Sequence, residues 1–466
     1  MDTSPDKPSG DALTGSPFEG DYPDNRTDEQ RKLERYAVSR QVTTLGAPKG
    51  PIIADFPRLL QERRGSQADQ GVLQFEVVPS RQGEDTFVAA GEILIRSQDG
   101  MDLVAEVRSL LDRRGFTPAP DYEDCPELRD SLLRFVNPGM GSRELLAVVA
   151  QLRAEGRAAS VNHITPLAPV AKGLGGPEPS AATRAFARTR SAKAPTRVAV
   201  IDTGVAAEKR TDGWLGHQDI ERRGDNIDEL DRFPEGGDGL LDFASGHGTF
   251  VTAVIQQVCP DADIRVYRAV DSDGVGSEVG VGCAMIRAAR EGAQILNLSV
   301  GSQTFDDGPP VALEAALNVI GDIERREGRE VLVLAAAGNY GNTRPCWPAA
   351  FRRVVSVAAL RADFTPAPDW STHGVWVDCS TIGEGITSPY VEGAESSLID
   401  DDPDRFGPTS WAVWTGTSFA TPQITGALAR LCQQQGLTPR QALRWLLGSG
   451  VPVPDFGRAV KILPGT

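Results

Sequence analysis

Apolar positions recur with two different periods along this chain, and the change between them marks its parts. From residue 72 they first alternate: Leu73, Phe75 and Val77 share a face, with Gln74 and Glu76 between them. That predicts a half-buried strand over 73–77, and 87–95 reads as a second. Leu103, Val107, Leu110 and Leu111 then fall on one face of a helix that ends near Gly115. A strand at 132–136 precedes Ser142, a candidate N-cap, after which Leu145, Val148, Val149 and Leu152 line a second helical face. A short strand near 160–164 closes the series. Strands alternating with amphipathic helices predict a small α/β module over 71–166.

On either side the pattern lapses. Residues 1–70 are mostly polar, acidic at the start and without sustained period, which predicts a largely disordered N-terminal region. Residues 167–196 are rich in Gly, Pro, Ala, Ser and Arg and read as a linker. Beyond it, 197–201, 264–270, 295–300, 331–337 and 354–359 are short continuous apolar runs, separated by helical stretches at 278–291, 311–327 and 418–433. Buried strands alternating with helices predict a parallel sheet covered on both faces. The expected fold class is α/β, a doubly wound, mostly parallel sheet over 197–466 preceded by the small module.

Composition narrows the partners. Of 466 residues, 48 are Lys or Arg and 64 are Asp or Glu, a formal net charge of -16, which argues against nucleic acid or an anionic membrane as ligand. The N-terminal stretch has neither a basic segment nor an apolar core of the secretory kind. The longest apolar run, 331–337, is far short of the roughly 20 residues of a membrane span. Six cysteines without CxxC spacing fit a reducing compartment at least as well as a disulfide framework. The expectation is a cytoplasmic protein.

Four places can carry chemistry. Asp202, in Val-Ala-Val-Ile-Asp-Thr-Gly, stands at the carboxyl end of a buried strand, where open α/β sheets hold ligands. Alone, Asp-Thr-Gly also marks an ordinary strand-to-loop junction, or one half of an aspartic-protease pair. His247, one of four histidines, is flanked by Gly246 and Gly248 at a helix start, which leaves its imidazole accessible. Ser418, in Gly-Thr-Ser-Phe-Ala-Thr-Pro, precedes a helical stretch, so its Oγ lies near unpaired N–H groups and the positive end of a helix. A plain N-cap is the other use of such a serine. Asn339, in Ala-Ala-Ala-Gly-Asn after a buried strand, offers a carboxamide donor of the sort that stabilises a developing oxyanion; Gly-Asn in that place also makes a turn.

Taken together, D-T-G at 202, H-G-T at 247, L-N-L-S-V-G at 296–301, A-A-A-G-N at 335 and G-T-S-F-A-T-P at 416 resemble the motifs of subtilisin-like serine proteases, in the chain order Asp, His, Asn, Ser. The resemblance covers about 198–462. It implies a serine endopeptidase that acts on peptide or protein substrates without a required cofactor. In it, Asp202 orients His247, His247 is the general base, Ser418 the nucleophile, and Asn339 with the Ser418 N–H the oxyanion hole. It also implies Ser299, Val300 and Gly301 as one wall of the substrate cleft, Gly274 and Gly276 on the opposite edge, and Ala337 and Gly338 at the floor of the specificity pocket. Phe250 and Phe419 depart from the usual residues beside the catalytic groups. A catalytically silent, peptide-binding scaffold is the alternative.

Two expectations are looser. Carboxylate-rich 225–242 and 392–404 suggest structural calcium, although their spacing matches no defined calcium loop and no metal ligand set is assigned. Relatives of this kind commonly carry a pro-domain that plugs the cleft. Residues 72–166 have the size for such an intramolecular inhibitor, or for a permanent docking domain.

Overall fold

The computed structural model describes residues 24–47, 51–79, 85–97, 101–119, 125–165, 176–186, 194–216, 220–234, 236–398, 400 and 402–466. Ahead of the module, where the sequence predicts disorder through residue 70, stand two helices, α1 (Asp28–Gly46) and α2 (Pro51–Gly65). Residues 1–23, for which disorder is also predicted, lie outside the described residues. Apolar periodicity does not reveal α1 because three of its four buried residues, Glu34, Gln41 and Thr44, are polar, with Val38 between them. Local chemistry starts it: Thr27 accepts from Gln30 N while the Gln30 side chain accepts from Thr27 N, and Asp28 and Glu29 sit in the positive first turn. Gln41, fully buried, then donates to Gly176 O (2.6 Å) and Val413 O (3.0 Å) and accepts from Thr415 Oγ1 (2.7 Å).

The module follows as β1 (Phe75–Pro79), β2 (Asp85–Arg96), α3 (Met101–Asp112), β3 (Thr117–Pro118), α4 (Pro126–Ser131), β4 (Leu132–Val136), α5 (Ser142–Ala154) and β5 (Ala159–His163). All its pairings are antiparallel. β2 is central, with β5 along one edge and β1 and β4 sharing the other. It serves three partners because it breaks at Gly91 (φ +68°), where a Cβ would stand 2.2 Å from Asn137 O. Val107 of α3 and Leu145, Val148 and Leu152 of α5 cover one face of the sheet. The other face, through Ala89 and Leu94, lies on the larger body. Ser142 is not the N-cap of α5; Gly141 holds that place without a side-chain bond. The Ser142 N–H goes instead to Glu76 Oε2 of β1 at 2.7 Å, so a neighbouring strand satisfies it.

The stretch read as a linker is in part structure. β6 (Glu178–Ser180) pairs with a strand of the body, and Phe186 packs edge-on against Trp214. Residues 166–175 and 187–193 lie outside the described residues. The body continues as β7 (Arg197–Asp202), α6 (His247–Val258), β8 (Asp263–Arg268), α7 (Glu278–Arg290), β9 (Ile295–Leu298), α8 (Val311–Glu327), β10 (Leu332–Ala336) and β11 (Val354–Leu360). Then come β12 (Cys379–Ile382), β13 (Ile386–Pro389), β14 (Gly393–Ala394), β15 (Arg405–Phe406), β16 (Trp411–Trp414), α9 (Thr417–Gln435), α10 (Pro439–Ser449), β17 (Val451–Val453) and β18 (Gly457–Ala459).

Eight strands form the main sheet in the order β17-β18-β12-β11-β10-β9-β7-β8, parallel except between β17 and β18. Alternation decides which helix covers which face. Val198 and Val200 point under α6, α9 and α10, whereas Ala199 and Ile201 point under α7 and α8. This is the doubly wound α/β arrangement the sequence predicts. β7 lies between β8 and β9, so the winding reverses there, and such a reversal opens a crevice beyond the carboxyl ends of the strands. No helix among the described residues is long and apolar enough to cross a membrane.

Candidate active site

Three strand ends and two helix starts converge on that crevice. Asp202 ends β7 and is fully buried, with Oδ1 accepting from Thr203 N (2.8 Å) and lying 2.7 Å from His247 Nδ1. His247 is the first residue of α6. The turn that delivers it needs glycine twice. Gly246 has φ +77° and a Cβ there would stand 2.7 Å from Tyr390 Cε2, while a Cβ on Gly248 would stand 2.2 Å from Gly204 O. The imidazole is walled by Trp414 (ring centroids 5.4 Å) and Phe419 (5.5 Å). Phe250 closes the same cluster 4.7 Å from Phe419, so the two departures from the usual residues pack on each other. Each is 2 % exposed or less, and burying such a side chain contributes about 1.5–3 kcal/mol to holding this wall.

Ser418 is the second residue of α9, one position before Phe419. Its hydroxyl donates to Ser299 O at 3.0 Å rather than to the imidazole. The tie runs both ways, since Ser299 Oγ donates to Ser418 O at 2.8 Å. Pro422 explains why that carbonyl is available: it lies in the helix four residues on and has no N–H to give it. Around the helix start, Thr417 N bonds Asn339 Oδ1 (2.9 Å) and Phe419 N bonds Gly416 O (3.1 Å). Among the described residues, the Ser418 N–H has no acceptor.

Asn339 follows β10, and its Oδ1 accepts from both Thr417 N and Thr417 Oγ1 at 2.9 Å. Two donors on one atom identify it as the carbonyl oxygen, so Nδ2 is the end that faces the crevice. Ala337 and Gly338 are held alongside through Ala337 N to Val357 O (2.9 Å) and Gly338 N to Thr417 Oγ1 (3.1 Å). Ser299, Val300 and Gly301 continue from β9 as buried wall, secured where Ser302 and Trp347 exchange backbone bonds. Gly274 and Gly276 lie in the loop after β8. There Gly276 O accepts from Thr165 N at 2.7 Å and Ser277 bridges Ile164, so the chain leaving β5 pairs antiparallel with this edge.

Residues the sequence did not point to complete the site. Asp228 is buried beneath the turn; its Oδ2 accepts from Thr203 Oγ1 (2.8 Å) and Gly246 N (2.9 Å), and Oδ1 has no partner among the described residues. Burial pushes this carboxyl up to about 7, against the two hydrogen bonds. Cys346 Sγ lies 2.9 Å from where a Cβ would stand on either Gly301 or Gly338, filling the space between wall and floor. Nothing in its spacing from other motifs signals this. The acidic loops spend carboxylates on their own backbone: Asp231 accepts from Asp238 N and Gly239 N, and Glu395 from Asp404 N. Among the described residues no group of three or more His, Cys, Asp or Glu is placed to hold a metal ion.

Comparison with known proteins shows the family. The Subtilase family model matches residues 194–451, more than half of the chain. Thermitase of Thermoactinomyces vulgaris is 29% identical over 247 residues, 51% of this chain and 75% of that protein. Subtilisin BL of Lederbergia lenta is 28% identical over 247 residues, 51% of this chain and 76% of that one. Among solved structures, fervidolysin of Fervidobacterium pennivorans shares the fold with a TM-score of 0.53 at 18% identity, over 80% of this chain and 60% of its own. The epidermin leader peptide processing serine protease of Staphylococcus aureus does so at 0.50 and 18%, over 80% and 96%. Both structural matches cover more of this chain than 197–466 alone provides, so the fold likeness extends into the residues before the body. With its family model matched across the body, the chain belongs to the subtilase family and is a serine endopeptidase.

Proposed function

We propose that Asp202, His247 and Ser418 are the catalytic triad and that Asn339 Nδ2 with the Ser418 N–H forms the oxyanion hole. The observation that carries this is the 2.7 Å bond between His247 Nδ1 and Asp202 Oδ1, made beside a serine whose own N–H, at a helix start, has no acceptor among the described residues. Asp202 fixes the imidazole with Nε2 towards the crevice. Rotation of the Ser418 side chain away from Ser299 O brings Oγ to Nε2, a contact that tightens when substrate arrives. Oγ attacks the scissile carbonyl carbon, its proton passes to Nε2, and the oxyanion takes the two donors. The same proton goes to the leaving amine, and water then releases the acyl group from Ser418 by the reverse steps. Ser299–Gly301 and Gly274–Gly276 hold the peptide between them as an added strand.

The module is proposed as the first occupant of that cleft, because the pairing of Thr165 with Gly276 already places its trailing chain on one wall. Since β6 is paired into the body, the cut that frees the module belongs ahead of β6, at 166–175, where the stretch that composition marks as a linker begins. A processing role on particular proteins is the finer reading, supported by the pairing of Ile164 and Thr165 with the 276–277 edge and by the leader-peptide processing that gives the Staphylococcus aureus neighbour its name. N-terminal sequencing of the purified wild type and Ser418→Ala proteins tests it. A new N-terminus at 166–175 in the wild type alone is expected; an intact, fully active wild-type chain makes the module a docking domain.

A further inference from the structure

Arg64, near the end of α2, is 0% exposed, which is unusual for an arginine in a helix that sequence periodicity does not even predict. Three of the four hydrogen bonds of its guanidinium go to two aspartates of one turn. Nη1 donates to both oxygens of Asp273 (2.8 and 2.7 Å), Nη2 to Asp271 Oδ2 (2.9 Å) and Nε to Leu73 O (2.9 Å), and the group lies 4.8 Å over the Phe233 ring. Its neighbour Arg63 bonds Asp242 Oδ1 (3.0 Å), whose other oxygen accepts from Ser272 Oγ (2.7 Å). Asp271 also meets Arg232 at 2.7 Å.

The two aspartates that Arg64 grips open the loop that forms one edge of the cleft. That loop is a tight turn: Asp271 N bonds Val275 O, Gly274 N bonds Asp271 O, and Val275 N bonds Asp273 Oδ1 (3.2 Å), with Gly274 at φ +86°. The next residue, Gly276, is the one whose carbonyl receives an extended chain. Asp273 is 2% exposed, so without a cation it would be a buried, uncompensated charge inside the turn. A guanidinium bound to both oxygens of one aspartate and one of another fixes their relative orientation as a lone ammonium cannot.

We propose that Arg64 is a positioning residue of the substrate cleft: it holds the Asp271–Gly276 turn in the shape that pairs with peptide, making α2 part of the cleft rather than of the module that follows it. The inference rests on the proposed cleft for its functional half and on the contacts alone for its structural half. Both halves are tested by Arg64→Met and Arg64→Lys. In a Ser418→Ala background, where the chain stays whole, hydrogen exchange by mass spectrometry is expected to be at least 10-fold faster at 271–277 in Arg64→Met. Exchange in β9 should stay as in the parent, and Arg64→Lys should fall between. Exchange at 271–277 within twofold of the parent, or rising equally in β9, overturns the clamp. With Ser418 present, the N-terminal fragment left by the cut at 166–175 carries α2 and should stay bound to the body through Arg64. Its loss from the Arg64→Met protein should raise KM for a peptide long enough to reach Gly276 at least 10-fold while kcat changes less than threefold. A KM that stays the same once that fragment is gone, or a loss confined to kcat, overturns the positioning role. If no version of the protein turns over peptide, the triad assignment fails, and the exchange data still decide the clamp.

Discussion

Replacing Asp228 with Asn should stabilise the protein at neutral and alkaline pH and lose that advantage in acid. The carboxyl is 3% exposed, and burial, with Asp202 and Asp242 nearby, pushes it from its ordinary 3.8 to about 7 against the bonds from Thr203 and Gly246. In the unfolded chain it ionises near 3.8, so between there and about 7 the folded state binds the extra proton. Stability therefore falls as pH rises through this window, and the loss is complete above about 7. Moving a carboxyl that far corresponds to ~4 kcal/mol, of which about 3 kcal/mol falls between pH 4.5 and 8. Asparagine keeps an oxygen for Thr203 Oγ1 and Gly246 N and cannot ionise. Its Nδ2 takes the place of Oδ1, which has no partner among the described residues, and an unpaired buried amide costs about 1–3 kcal/mol at every pH. The absolute difference is thus smaller than its change with pH. Urea unfolding of Ser418→Ala and Ser418→Ala/Asp228→Asn proteins at pH 4.5, 6 and 8 measures it, since the background cannot digest itself. The variant should gain on its parent by about 3 kcal/mol over that range. A difference constant to within ~0.5 kcal/mol, or one that moves in the parent's favour, refutes the reasoning.

Asn339→Ala should lower kcat by roughly 10²–10³ with KM little changed, the loss that follows removal of one oxyanion-hole asparagine from a subtilisin. Steady-state kinetics on one peptide checks it, and a change confined to KM would place Asn339 in the ground-state site. Cys346, whose Sγ fills the space between Gly301 and Gly338, should restrict the residue before the scissile bond to small side chains. In a peptide series varied at that residue, Cys346→Ala should shift the preference towards larger side chains by at least ~10-fold in kcat/KM, the usual effect of a methylene-sized space. An unchanged profile would place the pocket elsewhere.

The main sheet and its helices were legible because the strands are buried on both faces. Runs such as 331–337 and 354–359 have no other use for so many consecutive apolar residues, and the structure places β10 and β11 there. The four candidate site residues stood out because each lies at or near the end of an element with a glycine within two residues of it. What escaped lacked a period. α1 docks through Glu34, Gln41 and Thr44 with only Val38 buried among them, and α2 sets Arg64 in line with the buried Phe56 and Leu60, so polar residues interrupt both inward faces. β6 is three residues of Glu, Pro and Ser, held by the strand beside it and by Gln41 and Glu34 of α1 at its flanks. Asp228 and Cys346 act through neighbours far apart in sequence, which no local string records.

The most direct measurement of the central claim is labelling by a fluorophosphonate, which reacts only with a serine that its base has activated. The full chain is incubated until its cleavage pattern is constant, treated with the probe, digested and mapped by mass spectrometry. The account predicts a single adduct on Ser418, absent in Ser418→Ala and slowed by orders of magnitude in His247→Ala. An unlabelled wild type, or an adduct on another serine that persists in Ser418→Ala, contradicts it.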